Sequence, residues 1–171
     1  MGTKPSRDNV DVITEQWAAE RPDLDTWPMD VVGRISRASR LLERGVKEFF
    51  DTHDVEPWEF DVLATLRRAG SPYQLRVGQL VRSAMVSSPA LTNRLDRLVA
   101  KGLVERAVDP DHRRSVVVTL TAAGFELVED LVAGHVANEA RLLEFLSPRE
   151  RGDVVRALRR LLVGLRDVPH P

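Results

Sequence analysis

The chain is 171 residues long, with 43% hydrophobic and 30% charged residues and a formal net charge of −1. This composition suits one globular domain with added helices, and any affinity for nucleic acid must come from local charge. The absence of cysteine excludes disulfides, thiolate metal sites and cysteine nucleophiles. The polar N-terminus and the lack of a long apolar run predict a cytoplasmic protein without a signal peptide or a membrane partner.

The first half of the chain predicts a succession of helices. A short helix is expected over 10–20, followed by a turn at "RPDLDTWP". Apolar residues spaced by three or four over 31–49 predict an amphipathic helix of about 25 residues beginning at Pro28. Pro57 opens a third helix, which Gly70 ends.

The middle of the chain changes from helical to strand periodicity. The stretch 75–84 predicts a short helix, and Ser88-Pro89 supplies an N-cap and a first-position proline for the next one, which stops at Gly102. Alternating β-branched residues then predict two strands, at 104–106 and 116–120, joined by "DPDHRR" as a β-hairpin.

Two long helices with apolar stripes follow the hairpin. Thr121 is placed to cap the first, and "SPRE" at 147–150 is a capping box that opens the second. The predicted fold is therefore mainly α with a small β-wing, in the α+β class. Residues 1–27 form an N-terminal extension, 28–54 and 121–168 a helical dimerisation region, and 55–120 a winged helix-turn-helix domain. The stripes predict an intertwined homodimer, and a monomeric bundle packed on the middle of the chain is the alternative.

Three helices followed by a two-stranded wing are typical of a DNA reader. On a helical wheel of 88–101, Leu91, Leu95, Leu98 and Val99 form the core face. Short polar side chains near the helix N-terminus suit base edges, and wing arginines suit phosphate oxygens. The residues predicted to contact DNA are Ser87, Ser88, Pro89, Thr92, Asn93, Arg97, His112, Arg113 and Arg114.

The charge of this region differs from that of the whole chain. Residues 75–120 contain eight basic and four acidic residues, a local balance of +4. A solvated helix and hairpin with ordinary surface charge would explain either feature alone. Helix, wing and positive charge in this order favour DNA binding.

The motifs "FDVLATLRRAG" and "LTNRLDRLVAKGLVERAVDPDHRRSVVVTLTAAG" resemble the MarR family of transcriptional regulators. The resemblance covers about residues 28–166. It implies a homodimer that binds a palindromic operator in double-stranded DNA and is released by a small aromatic ligand. Asp111 and Arg114 match the family's wing residues, in which the aspartate braces an arginine.

The extension "ITEQWAAERPDLD" resembles a urate-responsive subgroup of that family, which carries an extra N-terminal helix with a tryptophan. The resemblance implies a ligand site for urate or a related aromatic anion, formed by Trp17, Asp61, Arg94 and Arg106. The subgroup's asparagine late in the Asp-bearing helix is Ala69 here, so one contact is missing. The alternative is a structural ion pair between Asp61 and Arg94, with Trp17 holding the extra helix in place.

No enzyme or cofactor is predicted. The four histidines share no helix face at metal-ligand spacing, and the chain has no Gly-rich phosphate loop and no nucleophile elbow. Two further hypotheses stay open: a constitutive DNA-binding regulator without a ligand, and a winged-helix module that binds a protein partner.

Overall fold

A computed structural model describes residues 7–83, 88–110, 112 and 115–167, without the side chains of 88–91. In chain order the elements are α1 (Asn9–Glu20), α2 (Trp27–Asp51), α3 (Pro57–Arg68), β1 (Gln74–Arg76), α4 (Val77–Ser83), α5 (Ser88–Ala100), β2 (Val104–Val108), β3 (Val116–Leu120), α6 (Ala122–Leu142) and α7 (Pro148–Gly164). The predicted class, mainly helical with a small β-wing, is confirmed. The chain divides into two compact units, Met1–Glu48 and Phe49–Pro171. The finer division into an extension, a dimerisation region and a DNA-binding domain stays a prediction.

In the first unit, α1 is tied to α2 by one apolar and one ionic contact. The Asp8 side chain caps α1 by accepting the backbone N–H of Val10 and Asp11. Val10 is 3% exposed and packs at Gly33, where an added Cβ would lie 3.2 Å from its Cγ1. Arg34 of α2 pairs with three carboxylates, those of Asp8, Asp11 and Asp30. The predicted extra helix is therefore held on α2 within this unit.

The second unit holds a core in which α3 is the central helix. Val62, Leu63 and Leu66 of α3 are fully buried. The same core takes up apolar residues of the other elements, among them Phe50, Leu80, Leu95, Leu98, Val104, Val118 and Val128. Gly70 and Gly102, which were predicted to end α3 and α5, have φ of 78° and 70°. That left-handed conformation is open to glycine without strain, so both predicted helix ends are confirmed.

The sheet has three antiparallel strands in the order β1-β3-β2, one more than the predicted hairpin. β1 pairs with β3 through Leu75 and Val118, and β2 pairs with β3 through Arg106 and Val118. The prediction of a helix from residue 75 was therefore wrong by two residues, because 74–76 is strand and α4 begins at Val77. A three-residue strand is too short to display alternation in sequence.

The predicted caps of the last two helices are confirmed. Thr121 Oγ1 accepts the N–H of Gly124 at the start of α6 and donates to the Gly102 carbonyl. Ser147 and Glu150 form a reciprocal capping box at the start of α7. In the part of the chain that the structure describes, no helix combines the length and the apolar character needed to cross a bilayer.

Candidate nucleic-acid interface

Helix α5 presents the polar face that the sequence predicted. Leu95 and Leu98 are buried, whereas Thr92 and Asn93 are exposed. Val99, which was assigned to the core face, is 38% exposed, so that part of the wheel was wrong. The apolar face is therefore narrower than predicted, and the polar side chains of the first turns are free to meet a duplex.

The C-terminal end of α5 is joined to the start of α3 by an ion pair. Lys101 Nζ lies 2.7 Å from Oε1 and 2.8 Å from Oε2 of Glu59, whose side chain is 1% exposed. Glu59 also accepts the backbone N–H of Glu56 in the capping box of α3. A buried carboxylate with these partners holds the two helix ends together.

Two arginines of α5 lie against one aromatic ring of α3. The guanidinium carbons of Arg94 and Arg97 are 5.2 Å and 5.0 Å from the ring centroid of Trp58. Arg94 was predicted to bind ligand and Arg97 to bind DNA. The Trp58 ring therefore contacts one residue from each predicted site. Trp58 was not among the residues predicted from the sequence. Its position in the first turn of α3, three residues before Asp61, is the signal that could have identified it.

A cationic cleft of about 620 Å³ lies where α4, α5 and the sheet meet, and its lining includes Arg76, Arg82, Thr92 and Arg106. The cleft therefore brings the predicted ligand residue Arg106 next to the predicted DNA residue Thr92. Arg106 forms an ion pair with Asp96 of α5. The β2 strand is thereby linked to α5 at the base of the wing.

The base of the wing is organised by Asp109, which was not among the predicted residues. Its side chain is 5% exposed, and Oδ2 lies 2.5 Å from Arg76 Nε of β1. The backbone N–H of His112 points to the carbonyl and to Oδ1 of Asp109, and Asp109 N–H donates to the Ser115 carbonyl. His112 is exposed, as a phosphate contact requires. Asp109 thus braces the turn that leads to the wing tip.

Several predicted residues lie outside the described part of the chain. Ser87, Asp111, Arg113 and Arg114 are in this group, as are the side chains of Ser88 and Pro89. Their predicted roles in DNA contact and wing bracing stay predictions.

The four predicted ligand residues belong to both units. Trp17 lies on α1 of the first unit and is 43% exposed. Asp61, half-buried on α3, and Arg94 and Arg106 lie in the second unit. The predicted contact between Asp61 and Arg94 stays a prediction.

The second unit also joins the helix-turn-helix to the long helix α6. Arg67 Nε donates to Glu129 of α6 at 2.7 Å, and this hydrogen bond raises the pKa of the Arg67 guanidinium. The same guanidinium lies 4.7 Å from the ring of Phe125 and 5.2 Å from that of Tyr73. Arg67 therefore connects the end of α3 to α6 by a hydrogen bond and a cation–π contact.

Helices α3, α4 and α5 with a following β-wing define a winged helix-turn-helix protein. No group of three or more metal-ligating side chains is present among the described residues.

Comparison with known proteins agrees with this class. The model of the MarR family matches residues 53–115. The HTH-type transcriptional regulator PecS of Dickeya dadantii is 43% identical over 142 residues, which are 83% of this chain and 86% of PecS. A mutant MarR from E. coli, solved in complex with operator DNA, has a TM-score of 0.72 at 27% identity and covers 80% of this chain and 96% of its own. Bordetella bronchiseptica BpsR, solved to explain regulation of its DNA binding by 6-hydroxynicotinic acid, has a TM-score of 0.70 at 27% identity, covering 77% of this chain and 91% of BpsR.

The chain belongs to the MarR family of transcriptional regulators. The members of this family are regulators of transcription.

Proposed function

We propose that this protein is a homodimeric, sequence-specific DNA-binding repressor that a small aromatic anion releases from its operator. The observation that carries the proposal is the exposed polar face of α5, with Thr92 and Asn93 at its N-terminal side and Arg97 one turn further. A helix of this size with short amide and hydroxyl side chains fits the major groove.

DNA contacts are divided between the helix and the wing. Thr92 and Asn93, together with Ser87, Ser88 and Pro89, are proposed to meet base edges or neighbouring sugar-phosphate. His112, Arg113 and Arg114 are proposed to meet the backbone from the wing, with Asp111 as a brace. The likeness to the E. coli MarR solved with operator DNA supports DNA binding by this fold.

The homodimer is proposed because of the apolar surface of α7. None of its residues is buried, although it carries Val154, Val155, Leu158, Leu161, Leu162 and Val163, each at least 38% exposed. An apolar stripe of this length is costly in water, and a second copy related by a two-fold axis would cover it on both chains. A two-fold dimer places two α5 helices on one duplex and therefore calls for a palindromic operator.

The ligand is proposed to be a planar anion such as urate, bound by Trp17, Asp61, Arg94 and Arg106. Two arginines would neutralise its charge, and the indole of Trp17 would stack on its ring. The regulation of BpsR by 6-hydroxynicotinic acid, also an aromatic acid, supports this class of ligand. A ligand that draws Arg94 from its place would move α5 and weaken DNA binding.

The proposal is tested by fluorescence anisotropy of a labelled duplex taken from upstream of this protein's gene. We expect saturable, salt-dependent binding by the wild type. Arg113→Ala should weaken binding to all duplexes and reduce the slope of log affinity against log salt by about 1. Asn93→Ala should instead change the preference among operator variants. Arg21→Ala, which removes an exposed arginine paired with Asp23, is the matched control and should bind as wild type does.

The outcomes separate the hypotheses. Release of the duplex by urate or by 6-hydroxynicotinate, lost in Arg106→Ala, would support the ligand site. Binding that neither compound affects would favour the constitutive regulator. Absence of salt-dependent binding to every duplex would contradict the proposal and favour a protein-binding module.

A further inference from the structure

Trp58 lies where α3 meets α5. It lies in the first turn of α3 and is half-buried, and not sealed in the core beside Val62 and Leu63. Its ring faces two cationic side chains of α5, Arg94 and Arg97, both within about 5 Å of its centroid. At this distance a guanidinium is attracted electrostatically to an aromatic face, and tryptophan gives the strongest attraction of the aromatic residues.

Arg94 and Arg97 carry like charges that repel each other. Residues three apart on a helix are neighbours on its surface, and like charges at that spacing destabilise the arrangement. Two of the carboxylates close to α5 already have cationic partners, since Asp96 pairs with Arg106 and Glu59 with Lys101. The negative face of the Trp58 ring therefore offsets charge at the middle of α5.

The same contact adds a second link between α5 and α3. The ion pair of Lys101 with Glu59 ties the C-terminal end of α5, whereas the ring of Trp58 holds its middle. Both contacts lie on the helix that carries the exposed residues Thr92 and Asn93, and they restrict its movement relative to α3. A DNA-reading helix gains affinity from such preorganisation, because less freedom is lost on binding.

We propose that Trp58 is a positioning residue for DNA binding, which holds Arg94 and Arg97 on its ring and so links the residue proposed to bind ligand with one proposed to bind DNA. The proposal rests on the DNA-binding function given above. A ligand that binds Arg94 would draw its guanidinium away from the Trp58 ring. The position of Arg97 on the ring would then change as well.

The stacking itself is tested without DNA, by NMR of the arginine Nε–Hε groups in the whole protein. An aromatic ring shifts the resonances of groups that lie over its face. The signals of Arg94 and Arg97, assigned through Arg→Lys variants, should move towards random-coil positions in Trp58→Leu and much less in Trp58→Phe. Signals that stay unchanged in Trp58→Leu would overturn the positioning role, whatever the DNA affinity.

The effect on function is measured by anisotropy on the operator duplex. Trp58→Leu should bind about tenfold more weakly than wild type, whereas Trp58→Phe, which keeps an aromatic face, should stay within about threefold. Trp27→Leu is the matched control, because Trp27 is 61% exposed on α2 in the other unit, and it should bind as wild type does. Circular dichroism and urea unfolding of each variant confirm that it is folded before the affinities are compared.

Fluorinated tryptophans at position 58 separate the electrostatic contact from simple packing. Fluorine withdraws electron density from the ring face but changes its shape little. Increasing fluorination should weaken DNA binding step by step if the cations are held by the ring, and should leave it unchanged if Trp58 merely fills space. No effect of fluorination and wild-type affinity in Trp58→Leu would each overturn the proposal. Failure of the wild type to bind any duplex would instead overturn the proposed function, and the NMR result would still decide the stacking.

Discussion

Gly124, in the first turn of α6, is expected to tolerate no side chain. A Cβ added there would lie 2.1 Å from the Leu103 carbonyl oxygen and 2.9 Å from Leu120 Cδ1. The carbonyl cannot simply move aside, because it accepts the N–H of Thr121 at 3.2 Å. The Thr121 hydroxyl in turn accepts the Gly124 N–H and donates to Gly102. The methyl group of Gly124→Ala would therefore force backbone apart at the junction of the wing and α6.

The size of the effect follows from opposing contributions. Alanine is preferred to glycine within a helix by about 1 kcal/mol, which favours the variant. Against this, relief of the overlap costs about 1–3 kcal/mol of overpacking and weakens two hydrogen bonds of about 1 kcal/mol each. We expect Gly124→Ala to lower the free energy of unfolding by about 2–3 kcal/mol.

Urea unfolding followed by circular dichroism measures this change. Gly78→Ala in α4 is the matched control, because its Cβ would meet nothing closer than Arg82 Nη1 at 3.7 Å. The control should leave stability unchanged or raise it by up to about 1 kcal/mol. A Gly124→Ala protein as stable as wild type would refute the close approach of α6 to Leu103.

Three other changes test separate contacts. The Asp8 backbone N–H, and to a smaller extent the side chain of Arg34, lower the pKa of the Asp11 carboxyl. The stability that Asp11 contributes is therefore present at neutral pH and is lost as the pH falls through this lowered pKa. Asp11→Asn should be less stable than wild type at neutral pH and should lose less stability on acidification, as measured by Tm at about pH 7 and about pH 3. Glu59→Gln should cost about 1 kcal/mol in urea unfolding, because Lys101 loses its charged partner but is 43% exposed and can turn to water; an equal loss in the background of Lys101→Ala would contradict this. Thr121→Ala should cost about 1 kcal/mol by removing the cap of α6, whereas Thr121→Ser keeps the hydroxyl and should cost less than half as much.

The sequence by itself determined the features that depend on near neighbours. Helix periodicity, the caps at Thr121 and Ser147 and the glycines that end α3 and α5 are all local signals, because a cap or a left-handed turn is formed within a few residues of the chain. The wing was recognised for the same reason, since its two alternating segments and the short polar loop between them are adjacent in the chain.

Tertiary structure decided the features that join residues far apart in the chain. Strand β1 forms because Leu75 pairs with Val118 of β3 across the sheet. The three residues of β1 carry no sequence pattern that predicts this pairing. The pairing of Arg106 with Asp96 depends on where β2 passes α5. The role of Asp109 at the base of the wing depends on its ion pair with Arg76, which lies on β1, far from Asp109 in the chain.

Trp58 illustrates the difference most directly. Its sequence position gave a helix residue with an aromatic side chain, and the wheel of α5 placed Arg94 beside the core face and Arg97 on the side that points away from the core. That these groups meet is a consequence of how α3 packs on α5, which depends on the buried leucines of both helices. Local hydrogen bonds and hydrophobic periodicity determine where the helices and strands of this protein begin and end. Side-chain packing between these elements determines which residues its charged side chains contact.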